Sequence, residues 1–157
     1  MPLILKGIAT AEDAALACEH GVAAVHVSNH GGRQLDHGCG AVALVPEVVE
    51  AVAGRAEIVV DGGICRGTDV VKALALGAAT VAVGRLYCYG LAAAGEPGVV
   101  RVLELLGAEI ATGLALLGAN RIAALDMSFL HAAAPVTSPH VVSAFPLLAS
   151  AESGPTW

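Results

Sequence analysis

The sequence predicts an α/β fold, a parallel (β/α) half-barrel corresponding to the last four units of a TIM-type barrel. Three observations predict it. Four short apolar runs rich in β-branched residues recur, at 3–6, 23–28, 57–61 and 80–84, each ending at a glycine or polar turn, as buried parallel strands do. Segments of helical character alternate with them, at 10–20, 44–53, 67–76 and 98–117, giving the order βαβαβαβα. Finally, four βα units are half of an eight-unit barrel, whose usual length is about 250 residues, and this chain has 157.

Helix punctuation supports the parse element by element. Thr10 and Asp13 make a T-x-x-D start for the first helix and Gly21 follows it, while Thr68-Asp69 opens the third and Gly77 closes it. From 121 to the end periodicity fades and Pro135, Pro139, Pro146 and Pro155 accumulate. We therefore expect a half-barrel over 1–120 and a weakly structured C-terminal extension over 121–157.

Composition narrows the function classes. Apolar residues make up 56% of the chain, enough for a sizeable core, so disorder is excluded as a description of the whole. Eight cations against fourteen carboxylates give a net charge of −6, which argues against nucleic acid as a partner. The mean hydropathy of +0.74 calls for a check on membrane spans. The longest run without Asp, Glu, Lys or Arg is 127–151, and prolines at 135, 139 and 146 together with His131 and His140 disqualify it, so no integral membrane segment is expected. The start of the chain lacks the basic flank and length of a signal peptide, and a cytoplasmic location is the expectation. Cys18, Cys39, Cys65 and Cys88 lie at least 21 residues apart with no C-x-x-C pair, so they are expected to be reduced thiols. His26 and His30 have metal-like spacing for a helix but fall on a strand and its loop, so no metal is expected. Tyr87, Tyr89, Phe129, Phe145 and Trp157 read as packing residues.

In a parallel barrel, functional groups gather at the C-terminal ends of the strands. Every strand here ends in a polar cluster: Lys6-Gly7, Ser28 through Asp36, Asp61-Gly62-Gly63, and Gly84-Arg85. The glycines after Asp61 stand between a strand and a helix N-terminus, where unpaired N–H groups favour an anion, and Gly84-Arg85 adds a cation beside them. Alone, a Gly-Gly pair is a tight turn; paired with the next strand end, it suggests a phosphate site. His30 and Arg33 combine a proton acceptor with a fork that binds a carboxylate, which suits removal of hydrogen from carbon next to a carboxylate. Taken separately they are a loop histidine and a surface arginine. Lys6, ending an apolar strand, calls for a negative partner such as a cofactor anion, or else reaches solvent at the rim.

The motifs Leu5-Lys6-Gly7, Ser28-Asn29-His30-Gly31-Gly32-Arg33-Gln34-Leu35-Asp36, Asp61-Gly62-Gly63, Arg66-Gly67-Thr68-Asp69 and Gly84-Arg85 resemble, in order and spacing, the FMN-dependent α-hydroxy-acid oxidases and dehydrogenases. The resemblance covers about 3–118 and implies FMN as cofactor and a small L-2-hydroxy acid, oxidised to the 2-oxo acid, as substrate. It implies that His30 is the catalytic base, that Arg33 holds the substrate carboxylate, and that Lys6 and Ser28 contact the flavin. Asp61, Gly62, Gly63, Arg66, Gly84 and Arg85 would surround the ribityl chain and phosphate. Two positions depart from the family's pattern: Cys65 stands where arginine is usual, and Leu86 where proline follows the Gly-Arg pair. The resemblance is to the family's C-terminal half, so completion by self-association or by a complementary N-terminal half is expected. The alternative is a non-catalytic half-barrel that binds FMN or phosphate weakly. A different phosphate-binding barrel enzyme is disfavoured by the His30/Arg33 cluster.

Overall fold

The structure is a computed structural model, and it describes residues 1–35 and 37–133. Four strands, β1 (Ile4–Ile8), β2 (Ala24–Val27), β3 (Glu57–Val60) and β4 (Thr80–Val81), form one sheet in the order β1-β2-β3-β4, all parallel. They alternate with α1 (Ala11–Glu19), α2 (Ala41–Val52), α3 (Gly67–Ala75) and α4 (Arg85–Leu117). Strand order follows chain order without reversal, which is barrel winding and not the doubly wound arrangement, whose order reverses at a switch point. The expected half-barrel is the fold observed.

Register explains which face carries chemistry. Lys6 lies beside His26, and His26 beside Val59, so these side chains share one face of the sheet. Val25, Val27 and Val60 point to the other face, where with Val45, Val48 and Val52 of α2 they are fully buried. Burying each such valine contributes roughly 1.5–3 kcal/mol. The helices cover the outer, apolar face, leaving a polar inner face whose Lys6, His26 and Ser28 would be misplaced in an ordinary core.

Local sequence accounts for most boundaries. Thr10 caps α1 by accepting from the Asp13 N–H at 3.2 Å. Helix α2 starts at Ala41, about one turn before the expected position, so Pro46 lies inside it and costs it one N–H. Only Thr80 and Val81 of the expected fourth strand belong to the ladder, paired with Val59 and Val60 at the end of β3. The largest difference is α4, expected over 98–117. It begins at Arg85, and non-helical Ala94 and Gly95 break it into two limbs. The limbs meet backbone to backbone, since a Cβ on Gly90 would lie 2.6 Å from the Gly98 carbonyl oxygen. After α4, short 3₁₀ turns occupy Ile122–Ala124 and Met127–Phe129. The expectation for 134–157 lies outside the described residues. Among the described residues no helix is long and apolar enough to cross a membrane.

Candidate active site at the strand ends

The loop after β2 is built to present His30. Three successive residues, His30, Gly31 and Gly32, adopt left-handed backbone (φ 54°, 71° and 72°), turning the chain tightly over the strand ends. Asn29 pins the turn: its Oδ1 accepts from the Gly31 N–H at 3.0 Å and its Nδ2 donates to the Cys39 carbonyl at 3.3 Å. The imidazole rests against Gly7, whose φ is 97° and where a Cβ would stand 2.6 Å from His30 Cε1. A glycine after Lys6 is thus what admits the ring.

Behind His30 lies a compact polar cluster. Ser28, only 1% exposed, accepts from Lys6 Nζ at 2.7 Å and from the His30 N–H at 3.1 Å. The Ser28 hydroxyl also helps to lower the pKa of Asp61. Lys6 also donates to Asp61 Oδ2 in a short ion pair. Burial pushes the Asp61 carboxyl up, but the bond and charge of Lys6, helped by the Ser28 hydroxyl, outweigh it and hold the group below the usual carboxylate range. His26 Nε2 stands 3.4 Å from Asp61 Oδ2, too far for a formed bond, and both His26 Nε2 and Asp61 Oδ1 are buried without a hydrogen-bond partner. Burial, followed by the nearby Lys6 charge, lowers the His26 pKa below 6.5 despite Asp61.

These strand ends open on one cavity of about 610 Å³. Lys6, His30 and Arg33 line it, as do Asp61, Gly62 and Gly63 and, at its far end, Gly84 and Arg85. Arg85 approaches the His30 loop, its Nη2 lying 3.6 Å from where a Gly31 Cβ would be. Eight of the ten residues singled out from the sequence therefore share one wall. Ser28 stands behind it, bonded to Lys6. Arg66 does not line it: its guanidinium pairs with Glu109 of α4 at 2.7 Å and is largely exposed.

The same glutamate alters the reading of the glycine loop. Glu109 accepts from the Gly67 N–H at 2.6 Å, and Asp69 Oδ2 accepts from the N–H groups of Cys65 and Arg66 at 3.0 and 2.9 Å. Two carboxylates thus occupy the N-terminus of α3, expected from the sequence to face an anion. The first turn of α4 has no side-chain cap at Gly84 and opens on the cavity beside Arg85. Sequence reasoning also missed Tyr89, which lines the cavity and is exposed, not packed; Tyr87 is exposed as well. Their helix limb has no charge after Arg85 to mark an amphipathic face. Cys65 lines the wall too, and burial together with Asp69 raises its thiol pKa against the pull of Arg85, so a neutral group stands there.

Comparison with known proteins follows the same lines. The chain matches the FMN-dependent dehydrogenase family over residues 1–132. It is 50% identical over 131 residues to an L-lactate oxidase of Nostoc sp., covering 83% of this chain and 36% of that protein. A peroxisomal (S)-2-hydroxy-acid oxidase of Oryza sativa subsp. japonica is 55% identical over 128 residues, 82% of this chain and 35% of the relative. A solved structure of mandelate oxidase with (S)-2-phenylpropionate superposes with a TM-score of 0.78 at 47% identity, covering 80% of this chain and 37% of that one. This chain therefore spans little more than a third of the length of these relatives. With identity of this order spread over most of the chain and a shared fold beneath it, the chain belongs to the FMN-dependent dehydrogenase family.

Proposed function

We propose that this chain carries the flavin- and substrate-binding part of an FMN-dependent oxidoreductase that converts a small L-2-hydroxy acid into the 2-oxo acid. The observation that carries the reading is the grouping of His30 and Arg33 with Lys6 and Arg85 around a single cavity. FMN suits the residues present. The cavity volume falls within the range of ligand pockets, its charged lining is three cations against one carboxylate, and the uncapped start of α4 supplies N–H groups for a phosphate.

When bound, FMN supplies the two-electron acceptor. In this reading Gly62, Gly63, Gly84 and Arg85 hold the ribityl and phosphate end, Arg66 serving only as a strut for the loop. Lys6, aimed by Ser28 and Asp61, sets a positive charge where negative charge would gather on the reduced ring. Arg33 takes the substrate carboxylate bidentately, and His30 removes the proton released as the substrate is oxidised. The domain division at 120/121 and a cytoplasmic location are part of the proposal; a tagged chain sorted elsewhere overturns the latter. Strands β1 and β4 have open edges among the described residues, so the proposed active form is completed by a second copy or by a complementary N-terminal half.

The test is the visible spectrum of the chain after incubation with FMN and removal of free dye. Anaerobic addition of lactate, glycolate or mandelate then follows, alone and with a complementary half. Bleaching that His30→Ala abolishes supports the enzyme reading. Bound flavin that never bleaches leaves a binding module, a reading favoured by the neutral thiol of Cys65 in the wall. Bleaching retained in His30→Ala overturns the base assignment.

A further inference from the structure

The flavin reading uses Lys6 and Asp61 of the inner face but not His26, which lies beside them. This histidine is an odd residue for its place, on an otherwise apolar strand between Val25 and Val27, with its side chain only 14% exposed. Its Nε2 is buried with no hydrogen-bond partner, and 3.4 Å away lies Asp61 Oδ2, while the other oxygen of that carboxylate, Oδ1, is likewise buried and unbonded. The orphaned Nε2 stands nearest Asp61 Oδ2, the oxygen that already accepts from Lys6, across a gap a few tenths of an ångström longer than a formed bond. Leaving Nε2 unpaired costs more than the small rotation that would let it share Oδ2 with Lys6.

We propose that His26 is a positioning residue for the Lys6–Asp61 pair: neutral, with its proton on Nε2, it donates to the Asp61 carboxylate from beneath and so fixes the direction in which Lys6 presents its ammonium to the cavity. The surroundings agree with a neutral ring. Lys6 from β1 and His30 from the loop beyond β2 disfavour a second positive charge, and Asp61 after β3 is the one titratable group acting in the opposite sense. The geometry gives the carboxylate Lys6 at the cavity side and assigns it His26 as a second donor, leaving its plane little freedom.

The role in aiming Lys6 toward a flavin rests on the function proposed above, and the test separates the two. In the full chain, nitrogen–proton correlation spectra of the histidine rings are expected to show His26 with its proton on Nε2 at pH 7. Its midpoint should lie below 6.5, fall further in Asp61→Asn and rise in Lys6→Met. The Lys6 side-chain shifts should move in His26→Val and return in His26→Gln, whose amide keeps a donor. A proton on Nδ1, a midpoint unmoved by Asp61→Asn, or Lys6 shifts that ignore His26→Val overturns the proposal. FMN affinity, read by quenching of its fluorescence, is expected to weaken about 3- to 10-fold in His26→Val and to stay near the original in His26→Gln. Equal weakening in both variants reduces His26 to a space-filling role and also overturns it. If the unmodified chain fails to bind FMN, the flavin reading falls while the ring and lysine spectra still decide whether His26 holds the pair.

Discussion

Replacing Gly7 by alanine isolates the contact that seats the proposed base. Gly7 has φ 97°, a conformation that costs an L side chain about 1–3 kcal/mol, or roughly 2–12 °C of melting temperature for a chain of this size. The new Cβ would also lie 2.6 Å from His30 Cε1, whereas carbon atoms rest at about 3.5–4.0 Å, so the ring must retreat by about 1 Å. A displacement of that size at a reacting group costs on the order of a hundredfold in rate. Gly21→Ala is the control: its φ is 73° and a Cβ there meets nothing within 4 Å, so it carries backbone strain without a collision. Thermal unfolding should show both variants destabilised to a similar degree. Only Gly7→Ala should shift the His30 ring resonances and, in a form that reduces flavin, the rate of that reduction. The reasoning fails if Gly7→Ala leaves His30 unmoved, or if Gly21→Ala moves it equally.

Two further outcomes follow from the neighbouring loop. Glu109→Ala removes the carboxylate that accepts from Gly67 at the start of α3 and should cost about 1 kcal/mol in urea unfolding at pH 7. The bonds from Arg66 and from the Gly67 N–H hold Glu109 below its ordinary value of 4.5, so its stabilisation is full above 4.5 and fades as pH falls through the lower folded value. The difference between the two proteins should therefore close in acid; a difference that persists to pH 2 contradicts the assignment. Cys65→Arg would set a second cation beside Arg85 in the cavity wall and should tighten FMN binding about 3- to 10-fold at low ionic strength, with the gain shrinking as salt is added. Titration of FMN fluorescence at two salt concentrations checks it, and an unchanged affinity would show that Cys65 does not face the phosphate.

The elements most legible in the sequence are those whose signal is local. A run such as Ile58-Val59-Val60 closed by Asp61-Gly62 can hardly be other than a buried strand ending at a turn, and the alternation that hides Val25 and Val27 already exposes His26 and Ser28 to the opposite face. Because strand ends converge in a parallel barrel, locating four strands also located Lys6, His30, Asp61 and Arg85 beside one another. The first limb of α4 was hidden for the converse reason. Its stretch after Arg85 carries no charge until Glu96 and so no amphipathic contrast, and the break at Ala94 and Gly95 separates it from the limb whose periodicity was readable.

What sequence could not supply was the partnership between distant groups, and this decides where an anion can sit. A glycine turn leading into a helix reads as an anion site whenever the helix N-terminus is free, yet freedom is a tertiary property. Here Glu109, 42 residues beyond Gly67, reaches back from α4 and occupies that N-terminus together with Asp69. An incoming phosphate would have to displace a carboxylate already held by Arg66, or else turn to the uncapped first turn of α4, where Arg85 offers a cation without a competing acid at the cap. The second course costs less, since like charges at one helix end repel while a vacant end attracts. Arg66 is thereby committed to the scaffold, and Arg85 is the cation left in the cavity wall for the proposed phosphate site.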